Sequence, residues 1–102
     1  MKPIGTHNYY VYILTNKNKT VLYTGVTNNL KQRLEFHKNP LPFSKAFTKK
    51  YNCFFLIFFE HFFSIDDAIA REKQIKGFGR TKKENLISNF NPNWDFLNEN
   101  VQ

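Results

Sequence analysis

With 102 residues the chain is long enough for one hydrophobic core and too short for two, so a single domain over residues 1–102 is expected. Its 15 Lys and Arg outnumber its 8 Asp and Glu, and the net charge of +7 favours a polyanion through phosphate contacts and counterion release, nucleic acid being the natural candidate. The lone Cys53 excludes an internal disulfide and a thiolate zinc cluster, and the apolar run from Cys53 to Phe59, broken by Glu60 and His61, is far shorter than the roughly 20 residues that span a bilayer.

Met1-Lys2-Pro3 leads into polar residues with no apolar signal core, so a cytoplasmic location is expected. Tyr9 to Leu14 is aromatic and β-branched, Asn16 to Thr20 is a polar turn cluster, and Val21 to Tyr23 resumes the strand pattern before Gly25: a β-hairpin. Thr27, Asn28 or Asn29 can cap a helix running to about His37, and Asn39-Pro40-Leu41-Pro42 stops it. A basic loop with Lys45, Lys49 and Lys50 follows. Phe54 to Phe59 is apolar on both faces of a strand, which predicts a central position covered above and below. Ser64-Ile65-Asp66-Asp67 reads as an N-cap with an acidic first turn, opening a second helix that ends at Gly77. Thr81-Lys82-Lys83-Glu84 has capping-box spacing and predicts the start of a third helix through about Phe90, after which Asn91-Pro92-Asn93-Trp94 closes the chain as an aromatic lid or tail. The order ββαβαα implies an α/β fold, a small mixed or antiparallel three-stranded sheet flanked by helices.

These elements carry polar side chains where apolar ones belong. At roughly 100° per residue, Ile65, Ala68, Ile69, Ile75 and Lys76 fall on one broad face of the second helix, with Glu72 near its middle. Burying an unpaired charge costs on the order of several kcal/mol, so Glu72 is expected to meet a cation, several donors or a metal; a structural ion pair with Arg33 or a Lys is the plain alternative. On the first helix Leu30 and Leu34 mark the apolar stripe, and Arg33 and His37, one turn apart, lie on its edge where both can point towards the sheet. Tyr10 and Tyr12 share a face of the first strand and Tyr23 lies on its hairpin partner, so a phenol cluster can form beside that helix. By default such rings are core aromatics with their hydroxyls at the rim.

Taken in order, Tyr10-Val11-Tyr12, Tyr23-Thr24-Gly25, Arg33, His37 and Glu72 resemble the GIY-YIG nuclease superfamily, and within it the small single-domain bacterial endonuclease type. In that family the first motif ends in Tyr, the second reads Tyr-x-Gly, an Arg lies eight residues after the Gly, and a His or Tyr lies four further on; Gly25, Arg33 and His37 keep that spacing. The segment from Ala68 to Lys76 is similar to the small members' A-x-x-R-E-K-x-I-K helix, and the resemblance runs from Tyr9 to Trp94. Tyr10 stands where the first motif has its leading Gly, Val26 stands where some repair relatives carry a Lys, and Asn85, Asn89 and Asn91 compete for the family's late Asn.

The resemblance implies hydrolysis of a DNA phosphodiester with one divalent ion, Mg²⁺ or Mn²⁺, in DNA repair or recombination. Glu72 would hold the ion, Tyr23 or Tyr12 would help deprotonate the attacking water, Arg33 would clamp the phosphate, and His37 would hydrogen-bond the phosphate or a water chain. Lys45, Lys49, Lys50, Lys73, Lys76, Arg80, Lys82 and Lys83 are expected to contact the backbone without reading sequence. Tyr23, Arg33, His37 and Glu72 are expected to converge on one open, positively charged concavity. DNA is the expected partner, with RNA the other polyanion that charge allows; neither a membrane nor an organic cofactor is expected, and the chain is expected to act as a monomer or weak dimer. The rival from another class is a nucleic-acid-binding module that keeps the fold and cuts nothing.

Overall fold

Seven residues rich in aromatic and β-branched side chains, Tyr9–Thr15, form strand β1, and the polar turn that follows returns the chain as β2, Leu22–Thr27. In the computed structural model, which describes residues 7–38 and 50–101 and only the backbone of His37 and Lys38, helix α1 (Leu30–Lys38) comes next. Strand β3 (Phe55–Phe62), helix α2 (Ile65–Lys76), helix α3 (Arg80–Phe90) and a 3-10 turn at Asn98–Asn100 complete the order. Lys45, Lys49, the Asn39-Pro40-Leu41-Pro42 stop and the His37 side chain lie outside the described residues.

The sheet is wholly antiparallel in the order β2-β1-β3, so the mixed alternative falls away. β1, and not the Phe54 to Phe59 strand, is central. Two features explain why β3 reads as apolar on both faces while lying at the edge. Its pairing with β1 slips between Ile13↔Phe58 and Leu14↔Leu56, leaving Ile57 as an extra residue, so Leu56, Ile57 and Phe58 are all buried in succession. Its outer edge is also occupied: Leu97 N–H donates to the Leu56 carbonyl at 2.7 Å, and the Asn98 amide accepts from Leu56 N–H at 2.9 Å and donates to the Phe54 carbonyl at 2.8 Å.

Period-two alternation along β1 divides the core between the two faces. Val11 and Ile13 join Ile57 and Phe58 beneath Ala68 and Ile75 of α2 and Ile87 of α3. Tyr12 and Leu14 join Leu56 and Cys53 beneath Leu30 and Leu34 of α1. Burial there pushes the Cys53 thiol up to about 11, well away from the range of a reactive cysteine.

The hairpin turn is built on Asn16, whose side-chain oxygen accepts from the Thr20 and Val21 amides at 2.8 and 3.2 Å. Lys19 takes a left-handed φ of 59° inside it. Helix α2 starts as expected, with Ser64 Oγ accepting from Asp67 N–H at 3.4 Å and Asp66 and Asp67 in the first turn. Its buried stripe is narrower than expected: Ala68 and Ile75 are inside, whereas Ile65 and Ile69 are 42% and 36% exposed. The capping box at Thr81 does not form. The N-cap of helix α3 lies two residues earlier, at Gly79, and Glu84 instead pairs with Arg80 at 3.0 Å. Among the described residues no helix is long and apolar enough to cross a membrane.

Candidate active site

Hairpin register brings the two tyrosines together. Tyr12 lies opposite Gly25 and Leu14 opposite Tyr23, so Tyr12 and Tyr23 are diagonal neighbours on one face, with ring centroids 6.4 Å apart and planes tilted by 44°. Tyr12 is 1% exposed and its ring lies across Gly25. A Cβ on residue 25 would stand 2.5 Å from both Cζ and the phenolic oxygen of Tyr12, a clash that no real Cβ tolerates. The glycine of Tyr23-Thr24-Gly25 is therefore the seat of the Tyr12 ring. Tyr10, two residues before Tyr12, packs edge-on against Phe59 and His61.

The turn after β2 sets the direction of α1. Thr27 Oγ1 accepts from Asn29 N–H at 3.1 Å, and Asn29 Oδ1 caps the helix by accepting from Gln32 N–H at 3.0 Å. Leu30 and Leu34 point into the Tyr12 cluster, and Arg33 stands outside it. Its guanidinium lies 5.8 Å from the Phe36 ring centroid, at a cleft of about 300 Å³ lined by Thr27, Asn28, Gln32, Arg33 and Phe36. The backbone of His37 lies one turn further along α1.

Glu72 comes from α2. Its side chain is 16% exposed and pairs with the half-exposed Lys76 at 3.4 Å, one turn on. The structural ion pair with a Lys is thus present, though long. The neighbouring Arg71 turns away to Glu60 on β3 at 2.9 Å and to Gln74. Helix α2 packs on the Val11 and Ile13 face of the sheet and α1 on the Tyr12 and Leu14 face, so Glu72 and Arg33 come to the hairpin from helices on different faces. The groups nevertheless share one field. Burial raises the Tyr12 hydroxyl far above the usual phenol range, Tyr23 raises it further, Arg33 pulls it back and Glu72 raises it. Tyr23, Arg33 and Glu72 therefore all lie within electrostatic reach of the Tyr12 hydroxyl, which rests on edge strand β2 at the one position that has no side chain.

The remaining cations divide. Lys73 and Lys76 close α2, and Lys82 and Lys83 open α3. Lys82 lies 4.3 Å from the Phe78 ring centroid and Lys50 lies 5.3 Å from that of Tyr51. The guanidinium of Arg80 is held by Glu84 and by the Thr20 and Lys19 carbonyls of the hairpin turn at 2.9 and 3.3 Å. Among the three late asparagines, Asn91 is buried and structural, bonding to the Ile57 and Asp95 carbonyls, while Asn85 and Asn89 are exposed. One residue escaped the sequence reading. Thr24 Oγ1 is buried without a hydrogen-bond partner, on the face of β2 that looks towards α2, since Thr24 pairs with Ile13. A polar residue alternating with Tyr23 and Gly25 was the available signal.

Among the described residues no group of three or more His, Cys, Asp or Glu could hold a metal ion. A lone carboxylate oxygen donor still fits a hard ion such as Mg²⁺, which keeps several waters and takes only one or two protein carboxylates with substrate phosphate. Glu72 is the residue that would hold it.

Residues 8–85 match the GIY-YIG catalytic domain. A UPF0213 protein of Clostridium perfringens (strain 13 / Type A) is 40% identical over 79 residues, covering 78% of this chain and 82% of that protein. A UPF0213 protein of Syntrophus aciditrophicus (strain SB) is 40% identical over 78 residues, covering 76% and 87%. The solution NMR structure of a UPF0213 protein from Bacillus halodurans superposes with a TM-score of 0.51 at 31% identity, covering 79% of this chain and 83% of that one.

Proposed function

The chain belongs to the GIY-YIG catalytic domain family, and on that premise we propose that it is a metal-dependent endonuclease hydrolysing DNA phosphodiester bonds, with a role in DNA repair or recombination. The observation that carries this reading is the seating of Tyr12 on Gly25 beside Tyr23, within reach of the charges of Arg33 and Glu72.

The roles follow from the environments. Tyr12 is too deeply buried to ionise near neutral pH, so it acts as a hydrogen-bond donor that orients its neighbours, and half-buried Tyr23 accepts the proton of the attacking water while passing its own phenolic proton on to solvent. Exposed Arg33, a planar fork that pairs with no carboxylate among the described residues, clamps the phosphate and stabilises the charge that develops there. His37 hydrogen-bonds the same phosphate or the water leading to it. Glu72 would hold Mg²⁺ or Mn²⁺, which would supply charge stabilisation at the phosphate and the leaving group. Lys50, Lys73, Lys82 and Lys83, with Lys45 and Lys49, contact the strand backbone without reading its sequence.

One observation favours the second reading, a binding module that does not cut: Lys76 already holds Glu72. A cleavage assay on single-stranded, duplex and branched DNA, with and without Mg²⁺ or Mn²⁺, separates the two. Wild-type protein is expected to cut only with the ion. Glu72→Gln is expected to abolish cleavage while its melting temperature stays close to wild type. A Glu72→Gln variant that cuts at the wild-type rate removes the metal assignment, and one that unfolds leaves the Lys76 ion pair as the residue's purpose.

A further inference from the structure

Beside the Arg33 cleft lies a second cavity of about 350 Å³ with a different chemistry. It opens between β1, β3, the start of α1 and the C-terminal turn, and Asn28 lines both cavities. Among the described residues, none of its lining side chains is charged. Amides from Asn8, Asn28, Asn29 and Asn100 surround it, and Tyr10 and Phe59 supply aromatic walls whose centroids are 6.5 Å apart with planes at 66°. Asn8 is fixed in place by a 2.7 Å hydrogen bond to His61 Nε2, and Tyr10 by edge contacts to both Phe59 and His61.

A neutral, amide-rich cavity is a poor phosphate site in a chain that has 15 Lys and Arg to offer. It is a good site for a planar heterocycle whose edges carry both donors and acceptors and whose faces stack. Side-chain amides pair with base edges, and aromatic rings stack on any base. Its volume is more than ten times the roughly 30 Å³ that a water occupies in the liquid, and it lies in the usual range of sites for small planar ligands. The wall it shares with the Arg33 cleft makes phosphate and base binding neighbours, as they are within one nucleotide.

We propose that this cavity accepts one unpaired nucleobase from the DNA strand whose phosphate is held at Arg33, so that the preferred substrate is DNA carrying an unstacked nucleotide at a bulge, flap or junction rather than an uninterrupted duplex. The inference rests on the nuclease reading for the phosphate at Arg33 and deepens it. A base held in the duplex cannot enter, because its edges are paired and its faces stacked; an unpaired base has already met most of that cost.

The test is binding without any divalent ion, so that it does not depend on cleavage. Three duplexes of one sequence are compared by fluorescence anisotropy: fully paired, with one extra unpaired nucleotide, and with an abasic residue at that extra position. Wild type is expected to bind the unpaired base about 10-fold more tightly than the abasic bulge, in line with base–aromatic stacking. Tyr10→Leu is expected to remove that preference while the fully paired duplex binds as before. Asn100→Ala, at an exposed position that does not threaten folding, is expected to shrink it and to level the differences among the four bases. Equal binding of base and abasic bulges by wild type overturns the proposal, as does an Asn100→Ala or folded Tyr10→Leu variant that weakens all three DNAs equally. A protein that shows the preference and never cuts refutes the nuclease reading alone; one that cuts without the preference refutes the base site alone.

Discussion

Gly25 decides more than any other residue whether the site exists. Its Cα hydrogen occupies the space a Cβ would need, and the Tyr12 ring that fills the rest is 1% exposed and has nowhere to go. Gly25→Ala is therefore expected to destabilise the fold by about 1–3 kcal/mol, as overpacking does, and to lower the melting temperature by roughly 4–8 °C per kcal/mol. Cleavage is expected to fall further than the stability loss explains, because in the proposed roles the displaced ring is the one that orients Tyr23. An Ala variant with wild-type turnover and melting temperature would mean that the ring has another resting place. Much at this scale was legible in the sequence. The step from Gly25 to Arg33 and the placing of Glu72 among apolar neighbours can be counted on the chain, because helical periodicity is local. The protonation of Tyr12 is not legible, since desolvation is imposed by Leu30, Leu34 and Leu56, which are distant in sequence. The pairing of Glu72 with Lys76 has a local i,i+4 spacing, whereas whether Arg33 competes for it depends on how the fold places α1 and α2.

Among the elements, the hairpin, α1 and α2 with its Ser64 cap follow from local signals of turn and cap chemistry. Strand order did not, because an apolar run states only that both faces are covered and says nothing about which edge is paired. The β3 bulge at Ile57 and the tail along its outer edge produce the same run that a central strand would. Helix α3 shows the opposite failure: Thr81 and Glu84 have the right spacing for a capping box, yet Arg80 recruits Glu84 and the helix starts at that residue. The tail gives an element-scale prediction. Asn98→Ala removes two hydrogen bonds to β3 and leaves the Leu56 N–H and Phe54 carbonyl without them, a loss of about 1–3 kcal/mol visible in urea denaturation. Amide exchange at Leu56 is expected to accelerate in step. Unchanged exchange there would show that Leu97 alone holds the edge.

For the whole molecule, a net charge of +7 on a chain whose cations close α2 and open α3 sets how it meets a polyanion. Affinity for duplex DNA is expected to fall linearly on a log–log plot against salt, with a slope of about −0.9 for each phosphate neutralised. Reversing Lys82 and Lys83 to Glu is expected to weaken all sequences alike and to flatten that slope. An affinity that is flat from low to high salt would leave the charge without a nucleic-acid meaning. Arg80 adds a consequence in time rather than in space. It fastens the Thr20 and Lys19 carbonyls from 60 and 61 positions later, so the hairpin turn receives its clasp only after a long loop has closed. Contacts of that kind tend to form after the rate-limiting barrier, and breaking them shows mainly in how fast the native state is lost. In stopped-flow measurements Arg80→Ala is thus expected to steepen unfolding while refolding keeps its wild-type rate. A variant slowed chiefly in refolding would place the clasp among the first contacts made, and the order in which this sheet assembles would run from its helices inward.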